Sequence, residues 1–192
     1  MTTTTPLFFF CLLLLLITTQ TLSQTPKNNP TPTPTLSPYH FVDRFCLDRR
    51  DRINVPFCLR ILRSSPGILN VKDSLGLLYA AAQSAMQFGN KTVAELNREK
   101  KTAAGAGAIE ECVSAYGGYV RDYAILVEEA KTEAEMAAFD AELARNEVSR
   151  CVKAARKVKG RGGAVVDIRD INKEALDYAR LAQTIAKSIP IP

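Results

Sequence analysis

A chain of 192 residues, 46% of them hydrophobic, carries enough apolar material for one well-packed domain but is too short for two once its atypical ends are set aside. A formal charge of +5 favours acidic or polyanionic partners, and a single histidine leaves little scope for imidazole catalysis.

Leu7 to Ile17 is an unbroken apolar run. It is about half the roughly 20 residues needed to span a bilayer, but it has the length of a signal-peptide core. Thr21 and Ser23 are small residues placed for cleavage before Gln24, although no Lys or Arg precedes the run. Residues 1–23 are therefore expected to be a signal peptide, with export and no stable membrane insertion after cleavage. No charged side chain occurs before Lys27, so the mature chain keeps the full +5. In an extracellular setting nucleic acid is not an expected partner. Residues 24–38 alternate Pro with Thr and polar residues and have almost nothing to bury. They read as an extended linker, with the folded domain over 39–192 beginning near Tyr39.

Of five cysteines, Cys11 leaves with the signal peptide, so Cys46, Cys58, Cys112 and Cys151 remain. In an oxidising compartment these form two disulfides, with three connectivities that spacing alone does not rank. Asn90-Lys91-Thr92 is a sequon that makes Asn90 a candidate glycosylation site.

From Tyr39 to Asn70 the pattern is irregular and predicts short helices, with Pro56 preventing a single one and Pro66-Gly67 marking a stop. Val71, Leu75, Leu78, Ala82, Ala85, Gly89, Val93 and Leu96 then recur at helical spacing. After a connection at Ala103 to Ala108, a second stripe runs through Ile109, Cys112, Tyr116, Tyr119, Tyr123, Val127 and Ala130. A third uses Ala137, Ala141, Ala144, Val148, Cys151, Ala155 and Val158 and ends at Gly160-Arg161-Gly162-Gly163. The last uses Ile171, Ala175, Tyr178, Ala182, Ile185 and Ile189, with Asp170 as its expected N-cap. Four amphipathic helices with short connections predict an all-α, antiparallel four-helix bundle.

No Gly or Pro separates the second stripe from the third, but Thr132-Glu133-Ala134-Glu135 has the form of a capping box and predicts a reversal at Thr132. Cys112 lies 20 residues before that point and Cys151 lies 19 after it, both on apolar stripes that should face each other. In a symmetric hairpin they stand at nearly one height, which makes Cys112–Cys151 a natural bridge and leaves Cys46–Cys58 to staple the amino-terminal segment.

Signals for chemistry are weak. His40, at the edge of the linker, has no nucleophile or acid at a triad-like spacing and reads as solvated. No metal-ligand spacing, phosphate loop or cofactor motif occurs, so neither metal nor cofactor is expected and no catalytic residue is assigned. Tyr116, Tyr119 and Tyr123 read as a packed stripe whose hydroxyls reach polar neighbours. Lys153, Arg156, Lys157, Lys159 and Arg161 read as a solvated face complementing a helix dipole.

The order of these features resembles the plant inhibitors of pectin methylesterase and invertase. Cys112-Val113-Ser114-Ala115-Tyr116 is similar to that family's Cys-x-x-x-Tyr helix start, Ala141-Glu142-Leu143-Ala144 leads to Cys151 in a similar way, and Ile171 through Ile185 resembles the closing helix. The resemblance implies an amino-terminal helical hairpin extending the bundle, bridges Cys46–Cys58 and Cys112–Cys151, and a secreted protein of the cell wall or apoplast. It also implies action by covering the cleft of a carbohydrate enzyme in a one-to-one complex. The absence of the Pro-Lys-Phe motif of invertase inhibitors favours pectin methylesterase over invertase as the partner. Gln83, Gln87, Ser114 and Arg121, polar positions off the apolar stripes, are the candidate partner-binding residues. A different class of function is direct binding of acidic pectin through the basic surface, without inhibition.

Overall fold

The computed structural model describes residues 37–100, 106–156 and 168–190. The expected signal peptide, nearly all of the linker, the glycine-rich run at 160–163 and the basic residues Lys157, Lys159 and Arg161 lie outside the described residues. Within them the chain forms six α-helices, one short 3-10 turn and no strand.

Two short helices come first, α1 (His40–Asp48) and α2 (Val55–Ser64). Pro56 stands within the first turn of α2, where its missing N–H costs nothing, and the Asn54 side chain caps that turn by accepting from the Phe57 amide at 3.3 Å. The Cys46–Cys58 disulfide, with Cα atoms 5.9 Å apart, ties the two helices into the hairpin that the resemblance implied. After α2, Gly67 takes a left-handed φ of 74° and starts the 3-10 turn Ile68–Asn70.

The bundle follows as α3 (Ser74–Lys100), α4 (Ala106–Glu129), α5 (Ala134–Arg156) and α6 (Ile168–Ala186). Each packs on the next and α6 closes back on α3, where Ser188 just past α6 meets Ser74 at the start of α3. This is the predicted antiparallel four-helix bundle. The Cys112–Cys151 bridge joins α4 to α5 with Cα atoms 4.4 Å apart. The hairpin docks through α2, whose Phe57 meets Tyr178 of α6 edge-on at 4.8 Å and whose Arg60 pairs with Glu174 at 2.9 Å.

Five local expectations need correction. Val71 is not on the first long helix, because Asp73 caps it, accepting from the Gly76 amide at 2.8 Å and starting the helix at Ser74. The chain reverses between Glu129 and Ala134 as expected, but not by a capping box. The Thr132 hydroxyl donates back to the Glu129 carbonyl, satisfying the end of α4 rather than the start of α5. Asp170 is not the N-cap of α6 but lies inside its first turn, where its charge still complements the helix dipole. Val93 and Val127 are only partly buried, while Thr92 and Leu126 take the core positions beside them, because the two helices are rotated slightly from a strict stripe. Finally, the Tyr119 and Tyr123 hydroxyls do not reach hydrogen-bond partners in good geometry.

Candidate functional site

The bundle core is organised by aromatic rings. Tyr178 lies 5.3 Å from Phe88, Phe88 6.4 Å from Tyr116, Tyr116 5.7 Å from Tyr119, and Tyr119 4.8 Å from Tyr123, so one chain of rings links α6, α3 and α4. The three tyrosines of α4 are fully buried, which makes them structural rather than a recognition surface. Tyr116 donates to Asn172 Oδ1 of α6 at 3.0 Å. Burial pushes all three phenols well above their ordinary range, and the nearness of Tyr119 and Tyr123 adds to this for Tyr119.

The sequence-derived candidates fall into two separate places. Gln83 and Gln87 are exposed on α3 and line, with Arg60, Ser64 and Phe88, a cleft of about 320 Å³ between α2 and α3. Ser114 and Arg121 are not in that cleft; they lie seven residues apart on the exposed side of α4.

One turn along α4 from Arg121 lies a feature that the stripe pattern did not single out. Ile125 on α4 is 41% exposed, and Met136, Phe139 and Leu143 on α5 are 39%, 55% and 36% exposed. These are four of the six large hydrophobic side chains exposed among the described residues. Met136, Phe139 and Leu143 share one side of α5 at spacings of three and four. The disulfide, together with the approach of Gly118 to Glu147, sets the pairing of α4 with α5, and continuing it places Ile125 level with Phe139. Scattered exposed apolar residues need no explanation, but a cluster across two adjacent helices does. A signal for it did exist: on α5 these large side chains flank an alanine stripe that already supplies the core.

The inner edge of this helix pair is acidic. Asp140 of α5 is 5% exposed, and one oxygen each of Asp140 and Glu129 is buried without a hydrogen-bond partner. Burial pushes the Asp140 carboxyl up to about 6, with Glu129 and then Asp122 adding like charge. Asp122 is itself raised, by burial and by Glu147, with Arg121 partly offsetting them. No cluster among the described residues has the geometry to hold a metal ion.

Asn90 is exposed in the middle of α3 while Thr92 is 3% exposed, so both sequon residues are accessible together only before α3 has packed. His40 begins α1 and is exposed. No described helix is long and apolar enough to cross a membrane.

No family model matches the chain, and no curated protein matches it in sequence. Solved structures do match in fold. A mutant form of a pectin methylesterase inhibitor from Arabidopsis superposes with a TM-score of 0.63 at 16% identity, covering 76% of this chain and 97% of that one. A pectin methylesterase inhibitor from Arabidopsis thaliana superposes with a TM-score of 0.56 at 15% identity, covering 79% and 97%. Six helices, two disulfides and these superpositions give the chain the fold of the pectin methylesterase inhibitors.

Proposed function

We propose that this protein is a secreted, non-enzymatic inhibitor of a plant pectin methylesterase, which it blocks in a one-to-one complex in the cell wall. The observation that carries this reading is the exposed apolar cluster of Ile125, Met136, Phe139 and Leu143, with the exposed Arg121 one turn from Ile125 on α4. The bundle does not use these side chains for its own core, and a central apolar cluster with a polar rim is the usual anatomy of a protein-binding surface. The fold it shares with pectin methylesterase inhibitors supports the choice of partner.

Titrating the purified protein against a panel of plant pectin methylesterases tests the reading. Inhibition should saturate near equimolar ratio for at least one enzyme. Phe139→Asp should weaken that inhibition by about 30-fold or more, the loss expected of an interface hot spot. Circular dichroism of the variant should be unchanged, because Phe139 is 55% exposed. Full enzyme activity across the panel at a stoichiometric excess would refute the function. Undiminished inhibition by a folded Phe139→Asp variant would refute the surface.

A further inference from the structure

The cleft of about 320 Å³ between α2 and α3, with Gln83 and Gln87 at its rim, reaches down to α6. Its floor is Tyr178, only 5% exposed, whose ring packs on Phe57 at 4.8 Å and on Phe88 at 5.3 Å. The Tyr178 hydroxyl has no hydrogen-bond partner among the described residues. Unlike those of Tyr119 and Tyr123, however, it is not sealed off, so it opens into the cleft. Burial, with the Glu174 carboxylate adding to it and Arg60 partly offsetting both, pushes this phenol up to about 12, so it stays protonated and presents a donor. A tyrosine buried to this degree normally gives its hydroxyl a partner.

The other polar groups of the cleft define what fits. The Gln83 and Gln87 amides, one turn apart on α3, are exposed and have no partner among the described residues, so each brings two donors and an acceptor. Ser64 and Ser65 donate to the Ile61 carbonyl at 3.0 and 2.9 Å, and Ser84 to that of Ala80 at 3.0 Å, which commits their protons and leaves lone pairs. No carboxylate lines the cleft, and its two cations are already paired, Arg60 with Glu174 at 2.9 Å and Lys91 with Glu95 at 3.9 Å. The cleft is therefore not built for an anion. It calls for a neutral group that both donates and accepts at several points and has an apolar face for Ile61, Pro66 and Phe88. A pyranose ring meets this demand, because each hydroxyl both donates and accepts while the C–H face is apolar. An extended peptide offers one donor and one acceptor per residue, too few for so many converging groups.

We propose that this cleft binds one neutral hexopyranose unit of an oligosaccharide. A ring hydroxyl accepts from Tyr178, others bond to the Gln83 and Gln87 amides and the serine oxygens, and the C–H face lies on Phe88. The volume, at the lower end of small-ligand sites, suits a terminal sugar rather than the run of a polymer. The site does not rest on the inhibitor reading and shares no residue with the apolar cluster of α4 and α5, so the two can fail separately.

NMR titration of the full mature protein, labelled with nitrogen-15, tests the proposal with methyl β-galactopyranoside, methyl β-glucopyranoside, galacturonate and glycerol as probes. At least one of the two glycosides should shift the Gln83 and Gln87 side-chain amide signals saturably, with a Kd on the order of 1 mM that salt leaves unchanged. Tyr178→Phe keeps the ring and should weaken that binding by about fivefold. Because the hydroxyl has no partner within the protein, the same variant should unfold at the wild-type Tm. Gln83→Ala/Gln87→Ala should lose about tenfold in affinity. No binding of either glycoside overturns the proposal, and undiminished binding by either variant overturns the site. A lowered Tm in Tyr178→Phe would give the hydroxyl a structural partner and remove it from the site. Tighter binding of galacturonate would overturn the neutral ligand, and equal shifts with glycerol would overturn the sugar ring.

Discussion

At Gly89 α3 packs directly against side chains of α4, and replacing it with alanine sets two effects of comparable size against each other. Alanine in place of glycine in a helix interior stabilises by about 1 kcal/mol. At Gly89, however, a Cβ would stand 2.6 Å from Val120 Cγ2 and 3.0 Å from Tyr119 Cδ1. Neither neighbour can yield easily. Tyr119 is fully buried, with its ring between those of Tyr116 and Tyr123, and Val120 is β-branched and has few rotamers. The helices must therefore separate locally by most of an ångström, which costs dispersion contacts along the ring chain, and overpacking of this kind costs about 1 to 3 kcal/mol. The net expectation for Gly89→Ala is a loss of about 1 kcal/mol, or a few degrees in Tm. Gly117 is the internal control. It lies in the middle of α4, and a Cβ added there would meet nothing within 4 Å, so Gly117→Ala should gain about 0.5 to 1 kcal/mol. Urea unfolding of both variants, with unchanged m-values, measures the difference. If Gly89→Ala gains as much stability as Gly117→Ala, the close packing of α3 on α4 is wrong.

Three further outcomes are expected. Cys112→Ala removes a cross-link closing a loop with a sequence separation of 39, and should cost about 4 kcal/mol in the chain-entropy account, against about 3 for Cys58→Ala in the shorter loop; thermal unfolding of both variants ranks them, and equal losses near zero would deny the bridges a structural role. Tyr116→Phe leaves the buried Asn172 Oδ1 without its donor and should cost about 1 to 3 kcal/mol by urea unfolding; a neutral result would mean that the bond is not formed in solution. The folded-state value of Asp140, about 6, lies above its ordinary 3.8, so between those pH values the folded chain holds a proton that the unfolded chain has released. Stability should therefore fall as pH rises through that window, by up to about 3 kcal/mol. Asp140→Asn should flatten that part of the profile, and an unchanged slope in the variant would refute the assignment.

Much of the fold was legible in the sequence because a helix of a bundle repeats its burial every three to four residues. The spacing of alanines, tyrosines and leucines marked four long helices, and the distances of Cys112 and Cys151 from the turn implied their pairing. Pro56 and Pro66-Gly67 marked the breaks around α2 for equally local reasons. Features that depend on how helices rotate against each other were not legible. The sequence could not show that Thr92 rather than Val93 turns inward, or that Tyr116 alone among the three tyrosines of α4 finds an acceptor, because Asn172 lies 56 residues away. The candidate surfaces were hidden for the same reason. Phe139 and Leu143 look like additional core residues until α4 and α6 fill the alanine side of α5 and leave them outside. Gln83 and Tyr178 come to line one cleft only when α2 docks on α6 through Phe57 and Tyr178. Periodicity along one helix encodes which residues can be buried, but the packing of several helices selects which are buried and which stay at the surface.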